Sequence, residues 1–206
     1  LLDGPQKQYV PEYVTGLPID YNLRGLRFSG NTDKLLVFSM PENNCLRVLS
    51  PTGIPDKDVS ARKPSLWVGL PALSDLQTII TDPAQPALPP ERFFGPEDRH
   101  QWCYYFEKAD LARQKQDWQT VIRLYYDALK LDFGPNASSE YVPLLEAYLR
   151  SDQVEKAYQL HSQLFDWFPG DRAHWCALFW DVLADANLSA ADQALVTEML
   201  TREGCR

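Results

Sequence analysis

The sequence predicts an α+β fold, in which a small antiparallel strand-rich N-terminal unit is followed by a stack of three α-helical hairpins. Two observations support this prediction. Twelve of the sixteen prolines lie within the first 90 residues, and they divide that half into short segments. Beyond residue 96 a helix–turn–helix pattern of aromatic, aliphatic and small residues occurs twice, and a looser third copy follows. We therefore expect two domains, at residues 1–90 and 91–206.

Short antiparallel strands are predicted in the N-terminal domain. Leu23–Ser29 and Lys34–Ser39 are separated by residues 30–33, a turn-forming sequence of Gly, Asn, Thr and Asp. Cys45–Ser50 follows as a third strand, so the spacing predicts a small meander. Ala72–Thr81 places its large apolar residues on one stripe, which favours a short helix.

A proline-rich connector is predicted between the two domains. Residues 82–90 contain four prolines, and closely spaced prolines favour an extended, semi-rigid backbone. After it, Pro96 suits the first turn of a helix, and Glu97 and Asp98 complement the positive end of the helix dipole. We expect the first long helix to begin there.

Six helices, paired as three hairpins, are predicted between about residues 96 and 203. The first hairpin joins Trp102–Arg113 to Trp118–Leu131 through a polar turn, and the second joins Ser138–Tyr148 to Val154–Trp167 through another. The third copy is looser. We expect breaks between the helices near Gln116, Gly134, Ser151, Gly170 and Asn187.

Aligning the turns makes the hairpins comparable residue by residue. The first two copies are offset by 36 residues, and continuing at 34 residues brings in the third. Tyr105, Tyr141 and Trp175 then occupy equivalent positions, and we expect them to be buried against the next hairpin.

The helical half resembles the tetratricopeptide repeat. The shared features are the early aromatic of each copy, a small residue at Ala109, Asp117 after the turn and a closing Pro169. Lys108 and Leu145 depart from the pattern. The resemblance implies an α-solenoid whose first helices line a concave face; a plain bundle of α-hairpins is the alternative. In this register the partner-binding face consists of Phe106, Asp110, Arg113, Val142, Glu146, Leu149, Arg150 and Trp180.

The chain as a whole resembles the soluble C-terminal tail of certain multi-pass bacterial membrane proteins, which are similar to membrane glycosyltransferases. The segments that carry this second resemblance are residues 28–37, 45–51 and 102–114. It implies an extracytoplasmic domain attached to the membrane through parts absent from this chain. A cytoplasmic location is the alternative.

Composition narrows the classes of partner. The net charge is −8, and residues 96–206 carry −7 of it, with eleven Lys and Arg against eighteen Asp and Glu. Nucleic acid and anionic lipid surfaces attract basic proteins, so this acidity disfavours both. No apolar run approaches the roughly 20 residues that a membrane span needs.

Catalytic and metal-binding motifs are not apparent in the sequence. The three histidines, His100, His161 and His174, stand in no zinc-binding spacing, and there is no phosphate loop, dinucleotide fingerprint or nucleophile elbow. We therefore expect no enzyme activity, cofactor or metal.

The expected function is that of a non-catalytic protein-interaction or scaffold domain, whose partner is a protein, a peptide or another domain of the same chain. The groove could instead be filled by residues 1–90, which would leave the helical stack purely structural. A different class of function is an accessory glycan-recognising domain of a membrane-bound glycosyltransferase, in which exposed aromatics stack on sugar rings.

The four cysteines allow two disulfides in an oxidising compartment. Cys176 and Cys205 lie at the meeting ends of the last hairpin, and Cys45 on a strand could reach Cys103. In a reducing cytosol all four would remain thiols and act as small buried hydrophobic residues.

Overall fold

The computed structural model describes residues 16–39, 45–49, 71–79, 90–97, 100–168, 172–185 and 188–205. The chain divides into two compact units, the first comprising residues 1–39, 47–53 and 58–95 and the second comprising residues 40–46, 54–57 and 96–206. The main division falls between residues 95 and 96. The second unit additionally takes two short segments from the N-terminal half.

The first unit contains a tight β-hairpin. Strand β1 (Pro18–Leu23) pairs antiparallel with β2 (Leu26–Asn31), and Arg24 and Gly25 form the turn between them. Both turn residues have positive φ, 50° and 83°, as a two-residue type I′ turn requires. The strand predicted at Leu23–Ser29 is confirmed only over Leu26–Ser29, because the turn at Arg24 and Gly25 falls inside its first part. The turn predicted at residues 30–33 instead contains the end of β2 and the start of a 3₁₀ helix.

A second strand pair is formed by β3 (Phe38–Ser39) and β4 (Arg47–Val48), which are antiparallel. Each is a short part of a predicted strand. The described residues thus contain two separate two-stranded sheets instead of the predicted three-stranded meander.

The helix predicted at Ala72–Thr81 is replaced by two 3₁₀ turns over the part that the structure describes. The turns span Pro71–Leu73 and Leu76–Thr78. Between them Ser74 pairs with Leu35 in an isolated β-bridge, and the Asp75 side chain accepts a hydrogen bond from the backbone N–H of Gln77. These polar interactions hold the backbone extended at the centre of the segment, so one continuous helix cannot form. A one-turn helix, α1 (Glu91–Phe94), ends this unit.

Six further α-helices make up the described part of the second unit. They are α2 (Trp102–Gln114), α3 (Trp118–Leu129), α4 (Val142–Leu149), α5 (Val154–Trp167), α6 (Arg172–Asp185) and α7 (Ala190–Glu203), with a 3₁₀ turn (Ser138–Tyr141) leading into α4. Breaks near Gln116, Gly134 and Ser151 agree with the sequence. Gly170 and Asn187 lie outside the described residues.

Local polar residues set several helix ends. The Asp117 carboxylate accepts a hydrogen bond from the Thr120 N–H at 3.1 Å and caps α3, and Ser189 caps α7 in the same way through the Asp192 N–H. Gly204 ends α7 in the left-handed conformation, with φ of 67°.

The helices pack as three consecutive pairs, α2 with α3, α4 with α5 and α6 with α7. Helix α4 also contacts α2, α3 and α6, and α5 contacts α7. The α+β class is thus established, while the curvature of a tetratricopeptide-like solenoid stays a prediction. Among the described residues, no helix has both the length and the apolarity needed to cross a membrane.

One hydrophobic core runs through the helical pairs. Tyr105 and Trp175 are buried, as the register predicts, and Trp175 is only 1% exposed. Tyr141, the residue expected to be equivalent, is partly buried and lies near the rings of Trp167 and Phe168.

Candidate functional site

A line of alternating charges connects the first helices of the three pairs. Arg113 on α2 donates to Asp110 at 2.7 Å and to Glu146 on α4 at 3.2 Å. Arg150, just after α4, donates to the other carboxylate oxygen of Glu146 at 2.9 Å and to Asp181 on α6 at 2.5 Å. We call these five residues the charge ladder. It links α2, α4 and α6 with charge-assisted hydrogen bonds.

The ladder is buried in its middle and open at one end. Glu146 is nearly enclosed between the two guanidinium groups, whereas more than half of the Asp181 side chain is exposed. Burial favours the neutral form of Arg113, but the charges of Asp110 and Glu146 outweigh it and raise the pKa of the guanidinium. Arg113 therefore stays charged at every physiological pH.

Exposed and half-buried indole rings accompany this ladder. Trp180, next to Asp181 on α6, is 52% exposed. The Arg150 guanidinium carbon lies 6.0 Å from the ring centre of Trp118, the first residue of α3. In the register of the repeats, Trp180 stands where the first two copies have Asp110 and Glu146. The third copy thus replaces a ladder acid with an aromatic side chain that faces solvent.

The structure brings together four of the eight predicted binding residues, namely Asp110, Arg113, Glu146 and Arg150, in the ladder. Trp180 is exposed and Val142 is partly buried. Phe106 and Leu149 are 3% and 1% exposed, so they lie in the core and not on the accessible face where the sequence placed them. Both are apolar residues on the core side of their helices, where burial removes them from water.

Asp181 was missed by sequence reasoning. It directly follows Trp180, and consecutive residues of a helix point about 100° apart. The repeat alignment therefore assigned Trp180 to the partner-binding face and left Asp181 out of it. Only the reach of Arg150 across to α6 shows that Asp181 belongs to the ladder.

A buried histidine–glutamate pair joins α5 to α7. His161 Nε2 and Glu203 Oε1 are 2.8 Å apart, and the two side chains are only 0% and 2% exposed to solvent. The His161 ring meets Phe179 edge-on, with 5.1 Å between the ring centres. Among the described residues, Nδ1 of His161 has no hydrogen-bond partner. Because a substrate cannot reach it, this pair is a structural feature and not a catalytic dyad.

A second buried acid, Glu140, accepts hydrogen bonds at both carboxylate oxygens. The Cys45 N–H donates to Oε1 at 3.0 Å, and Trp102 Nε1 and the Asn136 N–H each donate to Oε2 at 2.8 Å. These donors replace the water that burial removes. Glu140 therefore fastens the Cys45 segment, the start of α2 and the loop before α4 to one another.

Both disulfides that the sequence allows are present in the structure. Cys45 is joined to Cys103 with 5.1 Å between the Cα atoms, and Cys176 is joined to Cys205 with 5.5 Å between them. The first bridge ties the segment around Cys45 to α2, and the second ties α6 to the residue after α7.

The described residues offer no group of three or more His, Cys, Asp or Glu side chains arranged to hold a metal ion. Comparison with known proteins finds no match: no family model fits the chain, and no curated protein or solved structure is significantly similar to it.

Proposed function

We propose that the helical unit is a non-catalytic interaction domain, which binds a protein or peptide segment along the charge ladder and over Trp180. The single observation that carries the proposal is the exposed Trp180 at the open end of the ladder. Tryptophan is enriched among the residues that dominate binding energy, because it combines a large apolar surface with one N–H donor.

The ladder supplies a fixed polar surface beside that anchor. Its internal hydrogen bonds hold the arginine side chains in place, so the domain loses less side-chain entropy when a partner binds than it would with free side chains. Alternating signs favour a partner whose own charges alternate in the opposite register. An extended peptide can meet both requirements, with alternating charges along the ladder and an apolar side chain over Trp180.

The same proposal places the domain outside the cytoplasm, as the soluble part of a larger bacterial membrane protein. Its support is the pair of disulfides, because such bonds persist in oxidising compartments and are rare in the cytosol. The partner is then an exported peptide or another domain of the same protein.

Selection of peptides from a displayed random library against the whole 206-residue chain tests the proposal. The dissociation constants of enriched peptides are then measured for the wild type, for Trp180→Ala and for Trp167→Ala. We expect Trp180→Ala to weaken binding about 30-fold or more, as for an interface hot spot. Trp167 is a matched control, since it is also an exposed tryptophan but lies at the end of α5.

Two outcomes would count against the proposal. Equal loss in both tryptophan variants, or none in either, would remove Trp180 from the binding site. Binding of an oligosaccharide from a glycan array that depends on Trp180, with no peptide enriched, would instead support the glycan-recognising alternative, in which the indole ring stacks on a sugar.

A further inference from the structure

The β1–β2 hairpin has one apolar and one polar face along its whole length. Directly opposed residues of an antiparallel pair lie on the same face of the sheet. Three opposed pairs make the apolar face: Ile19 with Gly30, Tyr21 with Phe28 and Leu23 with Leu26. The other three lie on the opposite face, which is polar except at Pro18: Pro18 with Asn31, Asp20 with Ser29 and Asn22 with Arg27.

Four large side chains of the apolar face are exposed, whereas Ile19 is partly buried. Tyr21 and Phe28 are each 59% exposed, Leu23 is 50% exposed and Leu26 is 79% exposed. We call these four residues the hairpin face. Together they present on the order of 400 Å² of mostly apolar surface to solvent, comparable to the largest apolar patch of a typical monomer, which is often functional.

The chemistry of the hairpin face changes in order from its tip to its base. The aliphatic pair Leu23 and Leu26 flanks the turn, and the aromatic pair Tyr21 and Phe28 comes next. A lipid surface has the same order, since aliphatic side chains enter the boundary of the acyl chains and aromatic rings collect at the level of the headgroups.

The charge of the hairpin differs from that of the chain. Residues 18–31 contain Arg24 and Arg27 against the single acid Asp20, whereas the whole chain carries −8. Arg24 lies in the turn between the two leucines, and long arginine side chains can reach lipid phosphates while their neighbours enter the apolar layer. The hairpin therefore carries a net charge of +1, so the acidity that disfavours anionic lipid elsewhere in the chain does not apply to it.

From these observations we infer that the β1–β2 hairpin is a membrane-surface anchor, which inserts Leu23 and Leu26 at the headgroup boundary and places Arg24 against lipid phosphates. A second copy of the chain fits the hairpin face less well. A stable dimer buries about 800 Å² on each partner, roughly twice what these four side chains present. The inference concerns the first unit alone and is independent of the function proposed for the helical unit.

Flotation of the full chain with lipid vesicles tests the inference. The vesicles consist of phosphatidylcholine with a minor proportion of phosphatidylglycerol, and the bound fraction is measured as a function of lipid concentration. We expect the wild type to float with the vesicles. The double substitution Leu23→Ser and Leu26→Ser should lower the partition coefficient roughly tenfold or more, because two aliphatic side chains no longer enter the apolar layer.

The matched control replaces two other exposed leucines, Leu129→Ser and Leu131→Ser, at and beyond the end of α3. It should bind as the wild type does. Circular dichroism verifies that both double variants keep their helices. A wild type that stays out of the lipid fraction, or equal losses in the two double variants, would overturn the inference. So would a concentration-dependent dimer in analytical ultracentrifugation that only the hairpin substitutions dissociate, since the hairpin face would then bind a second copy.

Discussion

At the scale of single residues, the buried polar groups define how the helical unit is held. Glu140 and Glu203 are both withdrawn from water, but they are compensated differently. Glu140 accepts hydrogen bonds from N–H donors, two of them backbone groups, whereas Glu203 has a histidine ring as one of its partners. Only the histidine contact involves a partner that titrates near neutral pH, so it is the one expected to make stability depend on pH.

We predict that the fold becomes less stable as the pH falls, because burial of His161 disfavours its protonated form. Burial lowers the pKa of His161, and the hydrogen bond and charge of Glu203 oppose this shift without cancelling it. Below about pH 6.5 the unfolded chain therefore binds a proton that the folded histidine takes up less readily. The free energy of unfolding should therefore be highest above that pH, where the histidine is neutral in both states. It should decrease as the pH falls below it.

Urea denaturation between about pH 7.5 and 5.5 measures this dependence. His161→Gln keeps an N–H donor for Glu203 but does not titrate, so its stability should change less across the range. The exposed His100→Gln is the control and should retain the wild-type slope. An unchanged slope in His161→Gln would show that other groups cause the pH dependence.

At the scale of elements, α6 presents two tryptophans with opposite environments. Trp175 is buried in the core, and Trp180, five positions later on the same helix, is exposed. Substituting each tryptophan therefore shows how much a buried indole ring adds to stability compared with an exposed one.

We predict that Trp175→Ala lowers the free energy of unfolding by roughly 3–5 kcal/mol, through lost burial and the cavity that remains. Trp180→Ala should change it by less than about 1 kcal/mol, because no comparable cavity forms at the surface. Chemical denaturation followed by far-ultraviolet circular dichroism compares the two. Similar losses would mean that the burial of α6, and with it the register of the third helical pair, is wrong.

At the scale of the whole molecule, the second unit is not continuous in sequence. It includes residues 40–46 and 54–57, and of these Cys45 is bonded to Cys103 and donates its N–H to Glu140. A domain defined as residues 91–206 therefore omits a segment that is joined to the helical unit by a disulfide and by backbone hydrogen bonds to Glu140 and Glu107.

We predict that Cys45→Ser together with Cys103→Ser destabilises the full chain by about 4 kcal/mol under non-reducing conditions. The bridge spans 58 residues, and in the chain-entropy model its removal restores that much freedom to the unfolded state. Circular dichroism, dominated by the helices, follows the transition. A fragment of residues 91–206 should be similarly destabilised, because it lacks Cys45; a fragment as stable as the full chain would contradict the prediction.

The sequence by itself determined the helical half to the level of elements. A helix depends on contacts three and four residues apart, so apolar spacing, the cap at Asp117 and the polar turns near Gln116 and Ser151 predict the helices between Trp102 and Trp167. The pairing of Cys176 with Cys205 was also accessible, because a helical hairpin brings its ends together; no such local geometry indicated Cys45 with Cys103, which the even number of cysteines only allowed. The N-terminal half was predicted less well, since Arg24 and Gly25 are a weak turn signal inside an apolar run.

Only the tertiary structure decided which faces those elements bury and which charges meet. Phe106 and Leu149 were expected on the partner-binding face but lie in the core. Asp181 was not assigned to that face, yet it bonds to Arg150 in the charge ladder. The rotation of one helix against another is set by contacts between residues that are distant in sequence, such as Arg150 and Asp181. Such contacts depend on the shapes of both surfaces at once, so no local pattern in the sequence encodes them.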